Sequence, residues 1–159
     1  DAFILNRMAM YCGFLGDEAS EEKLYAEAST VDPRMSAPRF NLALLLQKQK
    51  RHEEAKAAVE KAILSQDSPP YYVLQASILR DMGKEFAVKE FLEMAWKRFQ
   101  KPSELNDWEL GWYITAAKMR GDEDAAAAAR RVRNNRRSGC VNPHQETEGL
   151  LPLLESAAT

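Results

Sequence analysis

Residues 41–67 read NLALLLQKQKRHEEAKAAVEKAILSQD, two helical patterns joined by a short turn. From Phe40 to Leu46 the apolar band is wide enough to be covered on more than one side. The run after Arg51 places Ala55, Ala58 with Val59, and Ala62 with Ile63 at three- and four-residue steps. Its opposite face carries Glu53, Glu54, Lys56, Glu60 and Lys61. The two glutamates fall in the first turn, where they complement the helix dipole. This stretch predicts a helical hairpin of unequal halves, the first mostly buried and the second amphipathic.

The same hairpin recurs in both directions. Asp32-Pro33, Ser68-Pro69-Pro70 and Lys101-Pro102 interrupt helical patterns at intervals of about 34 residues. Between them lie tighter turns at Gly16-Asp17, Lys50-Arg51, Gly83-Lys84 and Gly121-Asp122. Glycine suits the left-handed residue that closes one helix, and the following aspartate can cap the next. No segment shows the two-residue alternation of a strand. The fold class is therefore all-α, written as helix, turn, helix and proline stop four times.

Composition bounds the function. The chain has 159 residues with 45% apolar and 29% charged side chains, enough for one soluble domain with a real core. Its 22 basic and 24 acidic residues give a net charge of −2, so no global field favours nucleic acid or an anionic membrane. No apolar run is long enough to span a bilayer, and the first residues, Asp1 to Asn6, show no signal-peptide pattern. The expected compartment is the cytoplasm by default. The absent initiator methionine suggests a processed chain or an excised fragment lacking neighbouring domains. Two cysteines and two histidines give neither a disulfide framework nor metal-ligand spacing. No phosphate loop or nucleophile elbow is present. These residues call for no cofactor and point away from an enzyme.

The unit Ser36 to Ser68 resembles a tetratricopeptide repeat. Leu42-Ala43 stands where that family has Leu-Gly, Leu46 fills the slot of its first tyrosine, and Ala55 matches the small residue at the helix crossing. A unit at 2–33 carries Met8-Ala9, Cys12, Leu15-Gly16-Asp17, Tyr25, Ala28 and Asp32-Pro33. A third at 69–100 carries Ala76, Leu79, Met82-Gly83, Val88, Leu92 and Ala95. A fourth, about 107–137, is degenerate after Gly121, and Lys101 to Asn106 reads as an insertion before it. Three units in phase, 34 and 33 residues apart, carry the resemblance. It implies a right-handed superhelix of antiparallel helix pairs over residues 1–137, followed by a tail at 138–159. The alternative is another helical repeat or an irregular bundle. The last helix places Arg130, Arg131, Arg133, Arg136 and Arg137 around a thin stripe of Ala125, Ala128, Ala129 and Val132, as a capping helix should.

The resemblance also implies a concave peptide-binding groove lined by the first helix of each pair. Its register assigns Asn6, Arg7 and Met10 from the first unit, and Phe40, Asn41, Leu44 and Lys48 from the second. Val73, Leu74, Ser77 and Asp81 follow from the third, with Trp112, Thr115 and Met119 from the fourth. In members that hold peptides, an asparagine at the place of Asn41 clamps the ligand backbone. The bland alternative is a local hydrogen bond. The set that grips a terminal carboxylate is mostly missing: Asn6 and Met10 replace a lysine and an asparagine, and Pro70 and Leu74 a lysine and an arginine. The expected partner is thus an apolar segment of another protein, bound without turnover by a non-enzymatic adaptor.

Other assignments follow the same weighing. For Trp108 and Trp112, core packing is the expected fate of at least one. His52, in a turn, is expected to pack, and Cys12 to behave as a small hydrophobe. Between Lys118 and Arg137, seven basic and three acidic residues give 7 − 3 = +4, a candidate phosphate-binding patch lacking aromatic stacking partners. Leu150, Leu151, Leu153 and Leu154 form a leucine segment that could fold back on the stack or mediate self-association.

Overall fold

The computed structural model describes residues 1–139. Eight helices follow in order: α1 (Ala2–Phe14), α2 (Glu18–Val31), α3 (Ser36–Lys48), α4 (His52–Ser65), α5 (Pro69–Asp81), α6 (Glu85–Trp96), α7 (Asp107–Arg120) and α8 (Glu123–Gly139). Consecutive helices pair, and the second helix of each pair packs on the first helix of the next. The described residues thus form an all-α stack of four hairpins without strands.

The turns within pairs close as the residue pattern requires. Gly16, Gly83 and Gly121 adopt φ of +81°, +72° and +76°, and Lys50 fills the equivalent place at +61°. Left-handed backbone costs glycine nothing and a side-chain-bearing residue roughly 1–2 kcal/mol. Capping adds local definition. Asp1 accepts from the backbone N–H groups of Phe3 and Ile4, and Asp17 from that of Ser20. Asn106 and Glu109 form a reciprocal capping box that starts α7.

The core is thickest in the middle. Phe40, Leu46, Val59, Tyr71, Leu74 and Ile78 join α3, α4 and α5. Tyr72, Val73, Leu79, Val88, Leu92 and Ala116 continue it through α6 to α7. The apolar cluster between the first pair and the second is Ala9, Tyr25 and Leu45, with Leu24 and Leu42 alongside. Surface ion pairs reinforce that joint. Arg51 bridges Glu22 on α2 and Glu54 on α4 at 2.8 and 2.6 Å, and Lys48 meets Glu18 at 2.6 Å. Deeper in, the Ser36 hydroxyl lies 2.6 Å from Gln66 Oε1 and 2.9 Å from the Tyr71 hydroxyl, tying the second pair to the third.

The step into the fourth pair differs from the others. After α6 the segment 97–106, with its 3-10 turn Pro102–Glu104, brings α7 against α5 as well as α6. Earlier first helices approach each other only slightly. Arg136 on α8 fastens this segment by donating to the carbonyls of Leu105 (2.7 Å) and Ser103 (3.0 Å).

No helix among the described residues is long and apolar enough to cross a membrane. Cys140 to Thr159, including His144 and the leucine segment, lie outside the described residues.

Candidate functional site

The shift of α7 remakes the concave face. Trp108 and Trp112 reach across α5 and set their rings edge-on to Phe40, with centroids 5.7 and 5.5 Å away. The opposite side of Phe40 stacks on Tyr71 at 4.6 Å. Offset and edge-to-face arrangements match the quadrupoles of aromatic rings, so this cluster is a stable filling. Phe40, Val73 and Leu74, assigned above to the groove, are buried and offer no surface to a ligand. That is a correction, and its cause is tertiary: the insertion before α7 lets two indoles occupy the space between α3, α5 and α7. Trp112 is half-buried in that filling, and Trp108 stays half-exposed at its rim.

Toward the other end the concave face is open. A cleft of about 320 Å³ between α1, α2 and α3 is lined by Met10, Gly13, Glu21, Tyr25, Asn41, Leu44, Leu45 and Lys48. Four of these, Met10, Asn41, Leu44 and Lys48, are among the residues assigned from sequence. Asn6 is buried beneath, and its Oδ1 accepts from Asn41 Nδ2 at 3.1 Å. This bond joins the first and second pairs and uses one of the Asn41 amide's donors. Arg7 and Thr115 are exposed. Ser77, half-buried, and Asp81 both accept from Gln47 Nε2, at 2.9 and 2.8 Å, which lays a polar strap along the middle of the face.

Glu21 and Gly13 carry the cleft's chemistry, and neither was singled out from sequence. The Glu21 carboxylate lies so close to Gly13 that a Cβ there would meet its Oε1 at 2.5 Å. Burial raises the Glu21 carboxyl above its ordinary range, only partly offset by Lys48. The Tyr25 hydroxyl is pushed up to about 12, by burial and then by the Glu21 charge. Glu18 behaves oppositely: hydrogen bonds from Lys48 and Gln49 hold its carboxyl low. Lys48 is thus engaged at the rim by Glu18, and Glu21 faces the Tyr25 hydroxyl inside the cleft. The sequence signal for this was a glycine inside an otherwise apolar first helix.

The first helix is unusually apolar for a surface element. Phe3, Ile4, Met8, Met10, Tyr11, Phe14 and Leu15 are all exposed, on α1 or at its end. At the arginine-rich end, two of the arginines are engaged within the fold. Arg120 lies over the Trp96 ring and pairs with Glu93, and Arg136 caps backbone carbonyls. His52 begins α4 half-buried, with its Nδ1 buried and unpartnered. Among the described residues no group of histidines, cysteines and carboxylates could hold a metal ion.

The tetratricopeptide repeat family model matches residues 38–68. This stretch is a tetratricopeptide repeat. With helix pairs packed consecutively on either side, the described residues form an all-α solenoid whose second pair matches that family. The described fold is similar to the solved structure of PilF from Pseudomonas aeruginosa, with a TM-score of 0.57 and 21% identity. That alignment covers 94% of this chain and 66% of that one, so the chain spans just under two thirds of PilF's solved length. At this identity the likeness is one of tetratricopeptide fold. No curated protein matches the sequence.

Proposed function

We propose that this tetratricopeptide solenoid is a non-enzymatic interaction module that holds an apolar segment of a partner protein in the α1–α3 half of its concave face. The observation that carries this reading is the open cleft lined by Met10, Leu44 and Leu45, on a first helix that also exposes Phe3 and Phe14. A pre-formed apolar surface spends little ordering entropy on binding. Asn41 and Glu21 supply the polar contacts that fix register: the asparagine toward a ligand backbone, the carboxylate toward an N–H donor. Arg7 and Lys48 set the charge at the rim and so influence the association rate. Asn6 acts beneath Asn41 as its support.

Selection from a displayed peptide library tests this, with a folded Met10→Glu, Leu44→Glu variant as the counter-target. Enriched peptides with apolar anchors that bind the variant at least tenfold more weakly support the cleft. That is a loss of about 1.4 kcal/mol or more. Equal binding to both proteins would remove the cleft from the proposal. Nucleic-acid binding is the weaker reading, because Arg120 and Arg136 already have protein partners.

A further inference from the structure

A second apolar stripe on α1 faces away from the cleft. Ile4, Met8, Tyr11 and Leu15 follow one another at steps of four, three and four, one face of a helix. They are 56%, 50%, 65% and 65% exposed. Superposing the four left-handed turn residues, Gly16, Lys50, Gly83 and Gly121, gives the equivalent positions elsewhere. Ile4 corresponds to Pro38 and Tyr71, Met8 to Leu42 and Gln75, Tyr11 to Leu45 and Ile78. Leu45, Tyr71 and Ile78 are at most 5% exposed. They are covered by the preceding pair: Leu45 packs with Tyr25 of α2, and Tyr71 and Ile78 with Val59 and Ala62 of α4. At the places of Ile4 and Tyr11 the α1 stripe therefore has the position and character of a face that the second and third pairs bury, and nothing among the described residues covers it.

The facing helices share a pattern too. Their covering residues are Tyr25 and Ala28 on α2, Val59 and Ala62 on α4, and Leu92 and Ala95 on α6, all buried. In α8 the same two places hold Arg130 and Arg133, so the far end of another copy cannot supply this ladder. Connections between pairs are short. α2 ends at Val31 and α3 begins at Ser36, and α4 ends at Ser65 and α5 begins at Pro69. Ala2 stands in register with Ser36 and Pro69.

We infer that the Ile4–Met8–Tyr11–Leu15 stripe is a stacking face for one more tetratricopeptide-type helix pair. The second helix of that pair lies on α1 as α2 lies on α3, and it presents a large apolar residue followed three places later by alanine. This is independent of the proposed cleft, which uses the Phe3, Arg7, Met10 and Phe14 side of the helix.

The test duplicates residues 36–68 directly ahead of Ala2, which sets the copied Val59 and Ala62 against the stripe in register. Hydrogen exchange of the α1 amides is compared in the parent chain, the extended chain, and the extended chain with Met8→Glu and Tyr11→Glu. The expected result is α1 exchange slowed about tenfold or more by the added pair. The double variant should lose that slowing while α3 to α6 keep theirs. Unchanged α1 exchange in the extended chain would overturn the inference, whether or not the added segment becomes helical. So would a parent chain that sediments as a dimer and becomes a monomer on Met8→Glu, since a second copy would then be the occupant. Peptide capture by the cleft is read separately in each chain.

Discussion

The two ends of this solenoid face solvent with opposite chemistry. The first pair presents Ile4, Met8, Tyr11 and Leu15 on one face and Phe3, Met10 and Phe14 on another, over a small apolar cluster of Ala9, Tyr25 and Leu45. The last pair presents arginines, and its first helix drives two indoles into the concave face. One repeat design thus presents an apolar face on α1 and an arginine-bearing face on α8. The difference lies in a few positions: where inner pairs place an apolar residue and an alanine, the last helix places Arg130 and Arg133. Ending the stack is a local substitution problem, because each pair touches mainly its neighbours.

The strongest way to break this contrast is to convert the closed end. Arg130→Leu with Arg133→Ala restores the covering ladder on α8, which should then take the α1 stripe of another copy. Such a head-to-tail contact does not close, so the expected result is a mass that rises with concentration in sedimentation. A variant that stays monomeric would show that more than these two arginines ends the stack. Next in size is Trp112→Ala. Removing a half-buried indole from the Phe40 cluster should cost about 2–3 kcal/mol, measured as a lower urea midpoint. A loss below about 1 kcal/mol would mean that the aromatic filling is ornamental.

At the open end smaller effects are expected. Gly13→Ala removes a helix-interior glycine, worth about 0.5–1 kcal/mol of added stability. Its Cβ displaces the end of the flexible Glu21 side chain. Thermal melts should therefore rise while peptide capture changes. Lys50→Gly relieves left-handed backbone and should stabilise by up to about 1 kcal/mol, with the cleft unaffected.

The smallest effect is one of pH. The raised Glu21 pKa means that the folded chain holds this proton more tightly than the unfolded chain does. Glu21 therefore costs stability above its folded pKa, and the cost fades as pH falls toward the ordinary value of 4.5. Glu21→Gln should be the more stable protein at neutral pH, with the gap closing on acidification. Glu18, held low by Lys48 and Gln49, contributes in the opposite sense, its stability being lost as pH falls.

The repeat was legible because it is written locally. Left-handed turns at 16, 50, 83 and 121, proline stops and alanine crossings each depend on a few neighbouring residues. The arginine-loaded last helix was legible for the same reason. The concave face was not, because its fate depends on where α7 lands, which the segment 97–106 decides. In sequence Phe40, Val73 and Leu74 occupy the groove register, and only the reach of Trp108 and Trp112 shows that the register is filled. Glu21 escaped notice as one of several carboxylates in α2 until Gly13 gave it a place to sit.

The aromatic cluster also fixes what spectroscopy can see. All three tryptophans, Trp96, Trp108 and Trp112, belong to the last two pairs. Tryptophan emission therefore watches the last two pairs and, through Phe40, the face of α3, while the first pair carries no tryptophan. If the joint behind α2 lets go first, far-UV ellipticity should fall at a lower urea concentration than the shift in emission. The gap between the two transitions would measure how independently the open half unfolds.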